Sequence, residues 1–304
     1  MAQVVFKGGT DGTALQAASS GGHIKIIQLL VEKGADVNAQ GGFYGTALQA
    51  ASFGGYIEVI QLLVENGVDV NAHSGFYGTA LQAASYRGHI EVIQLLVEKG
   101  ADINAQGGLY GTALQAASNG GHIEVIQLLV EKGADVNAQG GPYGTVLQAA
   151  SSGGHIEVIQ LLVEKGADVN AQGGTYGTAL QAASFGGYIK VIQLLVEKGA
   201  DVNAQGGNLG TALQAASFGG YIEVIQLLVE KGADVNAQGG LYGTALQAAS
   251  RGHIEVIQLL VEKGADVNAQ GGYYGTALQA ALSGGHTKVV QLLVENGAGV
   301  KAKD

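Results

Sequence analysis

The chain has 304 residues, 47% of them hydrophobic, with 52 glycines, no cysteine and a formal net charge of -10. Without cysteine there are no disulfides and no thiolate metal sites, and with Arg87 and Arg251 as the only arginines the clustered cations that hold phosphate are missing, so nucleic acid is not an expected partner. A membrane is not expected either, because every apolar run is broken by Gln or Glu well short of the roughly 18 residues a span requires.

Met1–Gly9 carries too short an apolar run for a signal peptide, so the chain reads as soluble and cytoplasmic. One unit then recurs, headed by Thr13, Thr46, Thr79, Thr112, Thr145, Thr178, Thr211, Thr244 and Thr276, a step of 33 residues except for 32 at the last. A fixed period of this size predicts a stacked array, taken as one domain over 1–304, and it makes the glycines turn residues. The second copy serves for all. Thr46 is placed to cap a short first helix over Ala47–Ser52. Gly54 and Gly55 end it, and a second, amphipathic helix runs from about Ile57, with a wet stripe of Glu58, Gln61 and Glu65. Asn66-Gly67 stops that helix, and the stretch from Val68 to Gly78 reads as a projecting, hairpin-like loop. Neither helix can bury both of its apolar faces alone, so the copies must stack.

The order Thr-Ala-Leu-Gln-Ala-Ala, then Gly-His or Gly-Tyr, then Val-Ile-Gln-Leu-Leu, then Gly-Ala-Asp-Val-Asn-Ala resembles the ankyrin repeat from about residue 8 to 304. The resemblance implies an all-α ankyrin-repeat solenoid: nine stacked helix-turn-helix units with hairpin-like loops. Two departures stand out. Thr112-Ala113-Leu114-Gln115 takes the place of the family's Thr-Pro-Leu-His, and Gln can both donate and accept within the same turn, as that histidine does. A glycine pair, as in Gly107-Gly108, stands where an aspartate is common. Together with the near-identity of the copies, Gly-Gly-x-Tyr-Gly-Thr-Ala-Leu-Gln-Ala-Ala is similar to the ankyrin arrays of fungal NLR-like (STAND) receptors.

The ends differ from the interior. The last copy, about 276–304, carries Leu282, Thr287 and Lys288 and a charged finish at Lys301, Lys303 and Asp304, and reads as a C-terminal cap. The first has Ile24, Ile26, Ile27 and Leu30 with no polar helix before it, so its outer face is expected to be uncovered. Either the array continues N-terminally in a longer chain, or this face supports self-association. The eighth copy reads Ser250-Arg251-Gly252-His253, one residue short, which predicts a tighter junction and a disturbed surface near Tyr242 and Arg251.

Six histidines, His23, His89, His122, His155, His253 and His286, share one position at the start of the second helix. Consecutive copies lie roughly 8 to 10 Å apart by helix-packing distances, too far to share an ion whose bonds are about 2 Å. Bonding to backbone is the expected role, and His73 replaces a loop Gln. Ser, Asp and His recur as parallel ladders rather than as one converging constellation, so no enzyme, cofactor or metal is expected.

What varies between copies is more informative. Three residues before the threonine stand Phe43, Phe76, Leu109, Pro142, Thr175, Asn208, Leu241 and Tyr273, followed by Tyr44, Tyr77, Tyr110, Tyr143, Tyr176 and Tyr242 in most copies. Seven after it stand Phe53, Tyr86, Asn119, Phe185 and Phe218, with Arg87 next to Tyr86. By resemblance these are the loop tips and first-helix ends that line the concave groove, and they are the expected contacts for a protein or peptide partner. Other readings stay open: the tyrosines could pack between loops, and the tips could simply have drifted. The alternative function is a structural or engineered scaffold without a ligand. Phe53, Phe185 and Phe218 each travel with a tyrosine three residues on, either because the rings touch or because these copies share a parent.

Overall fold

A computed structural model describes residues 12–299, and all structural statements concern these. The expectations for Met1–Gly9, and for the charged finish at Lys301, Lys303 and Asp304, lie outside them. The described residues form two compact units, one reaching Ala150 and adding Gln160–Ala167, the other made of Ser151–Ile159 and the chain from Asp168 onward. The first holds α1 (Ala14–Ser20), α2 (Ile24–Glu32), α3 (Ala47–Gly54), α4 (Ile57–Glu65), α5 (Ala80–Arg87), α6 (Ile90–Glu98), α7 (Ala113–Gly120) and α8 (Ile123–Glu131). Residues of α9 (Val146–Gly153) and α10 (Ile156–Glu164) belong to both. The second holds α11 (Ala179–Gly186), α12 (Ile189–Glu197), α13 (Ala212–Gly219), α14 (Ile222–Glu230), α15 (Ala245–Ala249), α16 (Ile254–Glu262), α17 (Ala277–Ser283) and α18 (Thr287–Glu295). The fold is all-α, as expected: among the described residues there are helix pairs and isolated glycine bridges but no strand.

The first helices form because both ends are specified. At α5, Thr79 Oγ1 accepts from the Gln82 N–H at 3.2 Å while Gln82 Oε1 accepts from the Thr79 N–H at 2.6 Å, a reciprocal capping box. The helix stops at Gly88, whose φ of 77° suits glycine. It lies between α3 and α7 and is buried on nearly all sides: Ala80, Leu81, Gln82, Ala83, Ala84 and Ser85 are all covered. Alanine makes this possible, since a neighbour can approach from either side without losing helix propensity. In α6, Val92, Ile93 and Leu96 are buried while Glu91, Gln94 and Glu98 face water, the wet stripe read from the sequence. Each such large aliphatic contributes about 1.5–3 kcal/mol by its burial.

Three hydrogen-bond ladders tie successive repeats together within each unit. Gln82 Nε2 donates to the carbonyls of Ala105, Gly107 and Gly111 in the next loop, at 3.1, 3.3 and 2.6 Å. Gln therefore does more than replace a histidine within its own turn. Asn71 Nδ2 donates to Gly100 O at 3.0 Å, and its Oδ1 accepts from the Asp102 N–H at 2.8 Å. At the tips, Phe76 N–H donates to Phe43 O and Leu109 N–H to Phe76 O, both at 2.9 Å. Pro142 follows Leu109 in this series and has no N–H, so the next rung cannot form there. The glycine pair is explained at Gly108: with φ +60°, a Cβ there would lie 2.3 Å from the Tyr77 carbonyl of the preceding loop.

Candidate partner-binding surface

Loop tips and first helices are laid side by side by the tip and Gln ladders, so the variable residues of neighbouring repeats meet. In the first unit Phe43 and Phe76 stack with centroids 4.9 Å apart. Behind them, Phe53 touches Tyr44 at 5.4 Å and Tyr77 at 4.9 Å, Tyr86 lies 4.6 Å from Tyr110, and Tyr110 stacks on Tyr143 at 5.7 Å. Contacts of this kind add about 0.5–1.5 kcal/mol each beyond area burial. In the second unit Tyr176 meets Phe185 at 5.7 Å, Phe185 meets Phe218 at 6.0 Å, and Phe218 meets Tyr242 at 4.9 Å. The result is an aromatic strip in each unit.

Exposure divides these residues into two groups. Phe43, Phe76, Leu241 and Tyr273 are exposed, Tyr273 at 83%, and Pro142, Thr175 and Asn208 also face water. Tyr77 and Tyr110 retain 5% of their surface, and Tyr44, Tyr143, Tyr176 and Tyr242 are half-buried. The tyrosines thus form the wall between loops, and the rings in front of them form the open surface. Half-buried as well are Leu109, Phe53, Tyr86, Phe185 and Phe218. Asn119 is tied down in part, its Nδ2 donating to Ala149 O at 3.4 Å. Burial, and next the charge of Tyr86, pushes the Tyr77 hydroxyl up to about 12. Burial raises Tyr110 further, helped by its hydrogen bond with Tyr86, and burial also raises Tyr176.

The residue three after Phe53 does not join the strip. Tyr56 lies against Gly54 and against Gly22 of the preceding repeat, so close that a Cβ on either glycine would meet its ring at 2.2 and 2.7 Å. The ring neighbours of Phe53 are Tyr44 and Tyr77, so the pairing of Phe53 with Tyr56 in sequence is not made by contact between them. In other copies histidine fills the place of Tyr56 and reaches backbone: His89 Nε2 lies 3.1 Å from Phe53 O, His122 Nε2 2.8 Å from Tyr86 O, and His253 Nε2 3.0 Å from Phe218 O.

Both arginines stand on the strips. Arg87 places its guanidinium 4.9 Å from the centroid of Phe53, and Arg251 lies 5.1 Å from Phe218 and 5.9 Å from Tyr242, with a hydrogen bond of 3.3 Å to the Tyr242 hydroxyl. Arg251 gets there because the eighth repeat is one residue short. Its first helix, α15, ends at Ala249, the cap Ser250 has φ -64° where the interior copies place a left-handed glycine, and Gly252 turns at φ 130°. A cavity of about 250 Å³ opens beside that junction, lined by Gly252, Ile254, His286, Thr287, Lys288 and Val289. The segments that build the strip of each unit share a further feature of composition. From Gly41 to Gly54, Ser74 to Arg87, and in every later tip-and-first-helix segment to Gly284, there is no Asp, Glu or Lys. Arg87 and Arg251 are the only charged residues in those segments.

Paired short helices capped by Thr and Gly, stacked through side-chain ladders and displaying loop tips, define a helical-repeat protein of the binding-module class. The family model for ankyrin repeats (3 copies) matches residues 3–74, 48–140, 83–173, 147–239 and 213–304, so the chain belongs to the ankyrin-repeat family. Among curated proteins nothing matches. Ankyrin repeats are in general protein–protein interaction modules and typically non-enzymatic. No helix of the described residues is long and apolar enough to cross a membrane.

Proposed function

We propose that this chain recognises a protein or peptide partner, without catalysis, through the face that its loop tips and first helices present. The observation that carries this reading is the pair of aromatic strips. Large rings are costly to expose, yet Phe43, Phe76 and Tyr273 face water and Phe53, Phe185 and Phe218 are only half-buried, on repeats tied together by their ladders. A cytoplasmic setting, as the ligand-sensing part of a larger NLR-like receptor, fits the near-identity of the copies and the Gly-Gly-x-Tyr-Gly motif.

A pull-down from extracts of the source organism tests the reading. The chain and a variant with Phe53→Ser, Phe185→Ser and Phe218→Ser are compared; capture by the first and loss in the second is expected. No capture, or equal capture by both, favours the inert-scaffold alternative. A further part of the proposal is self-association through the first repeat, where Ile26 is 50% and Leu29 53% exposed although Val59, the counterpart of Ile26 one repeat on, is 2% exposed. Light scattering that returns a monomer mass at high concentration removes that part.

A further inference from the structure

We propose that each aromatic strip takes a peptide segment in which a carboxylate stands next to an apolar or aromatic side chain, the carboxylate on Arg87 in the first unit and on Arg251 in the second. This rests on the partner-binding reading above and names the chemistry of the partner.

Charge carries the argument. In a chain of net charge -10, the tip-and-first-helix segments from Gly41 onward hold no Asp, Glu or Lys, and both arginines of the chain fall in them, one in each unit. Each arginine lies over a phenylalanine of the preceding repeat, Arg87 over Phe53 and Arg251 over Phe218. They also arrive by different routes, Arg87 by replacing a glycine at the end of α5 and Arg251 through the shortened junction after α15. Among the described residues Arg87 makes no hydrogen bond or ion pair, and the one bond of Arg251 goes to a neutral hydroxyl. Neither cation is therefore paired with a carboxylate among the described residues. A guanidinium held over a ring has lost part of its conformational freedom before binding, and its donors match a carboxylate two at a time.

The rest of the strip sets what flanks the charge. Arg87 lies over Phe53, from which the strip continues through Tyr77 to Tyr86 and to the Phe43–Phe76 stack, and these rings offer area to an apolar or aromatic side chain, with no lysine in their segments for a second anion. One guanidinium per strip matches a single negative charge. A phosphate group of charge about -1.5 to -2 is usually held by a cluster of arginines, and a nucleic-acid backbone or anionic lipid surface would meet an otherwise acidic protein.

Panning a random peptide library displayed on phage against the purified full chain tests the proposal. Retained peptides are expected to be enriched in Asp or Glu adjacent to Leu, Ile, Phe, Tyr or Trp. Two synthetic forms of a retained peptide, with the acid and with its amide, should differ about tenfold in Kd, and Arg87→Gln with Arg251→Gln should abolish that difference. Both arginines are exposed, so the double variant is expected to keep its fold, checked by circular dichroism and thermal melting. Arg87→Lys with Arg251→Lys should keep part of the acid preference. Peptides retained through the Phe53, Phe185 and Phe218 surface without acidic enrichment, or an acid preference that survives in the Gln variant, overturn the carboxylate assignment and leave the binding face standing. A library from which nothing is retained in a manner dependent on those phenylalanines overturns both.

Discussion

Gln82 links the capping of its own helix to the loop of the next repeat. Its Oε1 accepts from Thr79 N–H, and its Nε2 has two hydrogens for the carbonyls of Ala105, Gly107 and Gly111, so at least one is shared. Gln82→Ala removes the partner of the buried Thr79 N–H and of Ala105 O, while Gly107 O and Gly111 O keep the bonds they accept from each other's N–H, and the loss should cost about 1–3 kcal/mol in denaturant unfolding. Gln82→His keeps one donor and one acceptor and should lose less. That glutamine can stand in for the family's histidine was legible from its chemistry. Its reach to a carbonyl 29 residues on was not, because that depends on the distance at which repeats stack. Tyr77 makes a prediction of a different kind. Burial raises its hydroxyl from 10.0 to about 12, so the folded state holds that proton where the unfolded state releases it. Its stabilisation is complete below pH 10 and is lost as pH rises to about 12. Tyr77→Phe should flatten the fall of stability in that window, as read by urea unfolding at a series of alkaline pH values.

At the scale of the helix and the loop, the sequence was most informative where it broke its own rule. The missing residue after Ser250 announced a disturbed junction, and α15 is indeed cut short, with Arg251 brought over Phe218 and Tyr242. The two helices of each repeat and the wet stripe of the second could be read directly, because periodicity and glycine punctuation are local. The fate of the recurrent tyrosine could not. Nothing local separates a ring that contacts a partner from one that fills the gap between loops. Only stacking shows Tyr77 and Tyr110 as wall and Phe43 and Phe76 as surface. The pairing of Phe53 with Tyr56 left contact and common parentage both open for the converse reason. Their sequence distance suits contact along a helix, but Gly55 ends the helix between them and turns Tyr56 onto glycine backbone. The lack of Asp, Glu and Lys from Gly41 to Gly54 and in the later tip-and-first-helix segments is fully present in the sequence, yet it is visible only when those segments are compared for what they lack.

In a stacked array each interior repeat is held by two neighbours and each end repeat by one, so local stability should fall toward the ends. In the first unit Ile26 is 50% exposed where Val59 is 2%, and α1 ends at Gly21 with φ -95° instead of the left-handed glycine that closes α3. At the far end of the second unit, Gln279 keeps only its capping pair with Thr276 among the described residues, and Leu282 and Val294 are 57% and 47% exposed. Loss of burial for a single large side chain is worth about 1.5–3 kcal/mol, or at least about tenfold in an opening equilibrium. Amide exchange followed by mass spectrometry should therefore be at least about tenfold faster in α2 and α18 than in α6 and α14, and uniform protection would contradict the stacking account. The same measurement bears on self-association. If the face of Ile26 and Leu29 is covered by a second copy, protection of α2 rises with protein concentration while that of α6 stays fixed. Ile26→Ser with Leu29→Ser should remove the rise and leave the interior unchanged, because neither side chain is part of the buried core of its own unit.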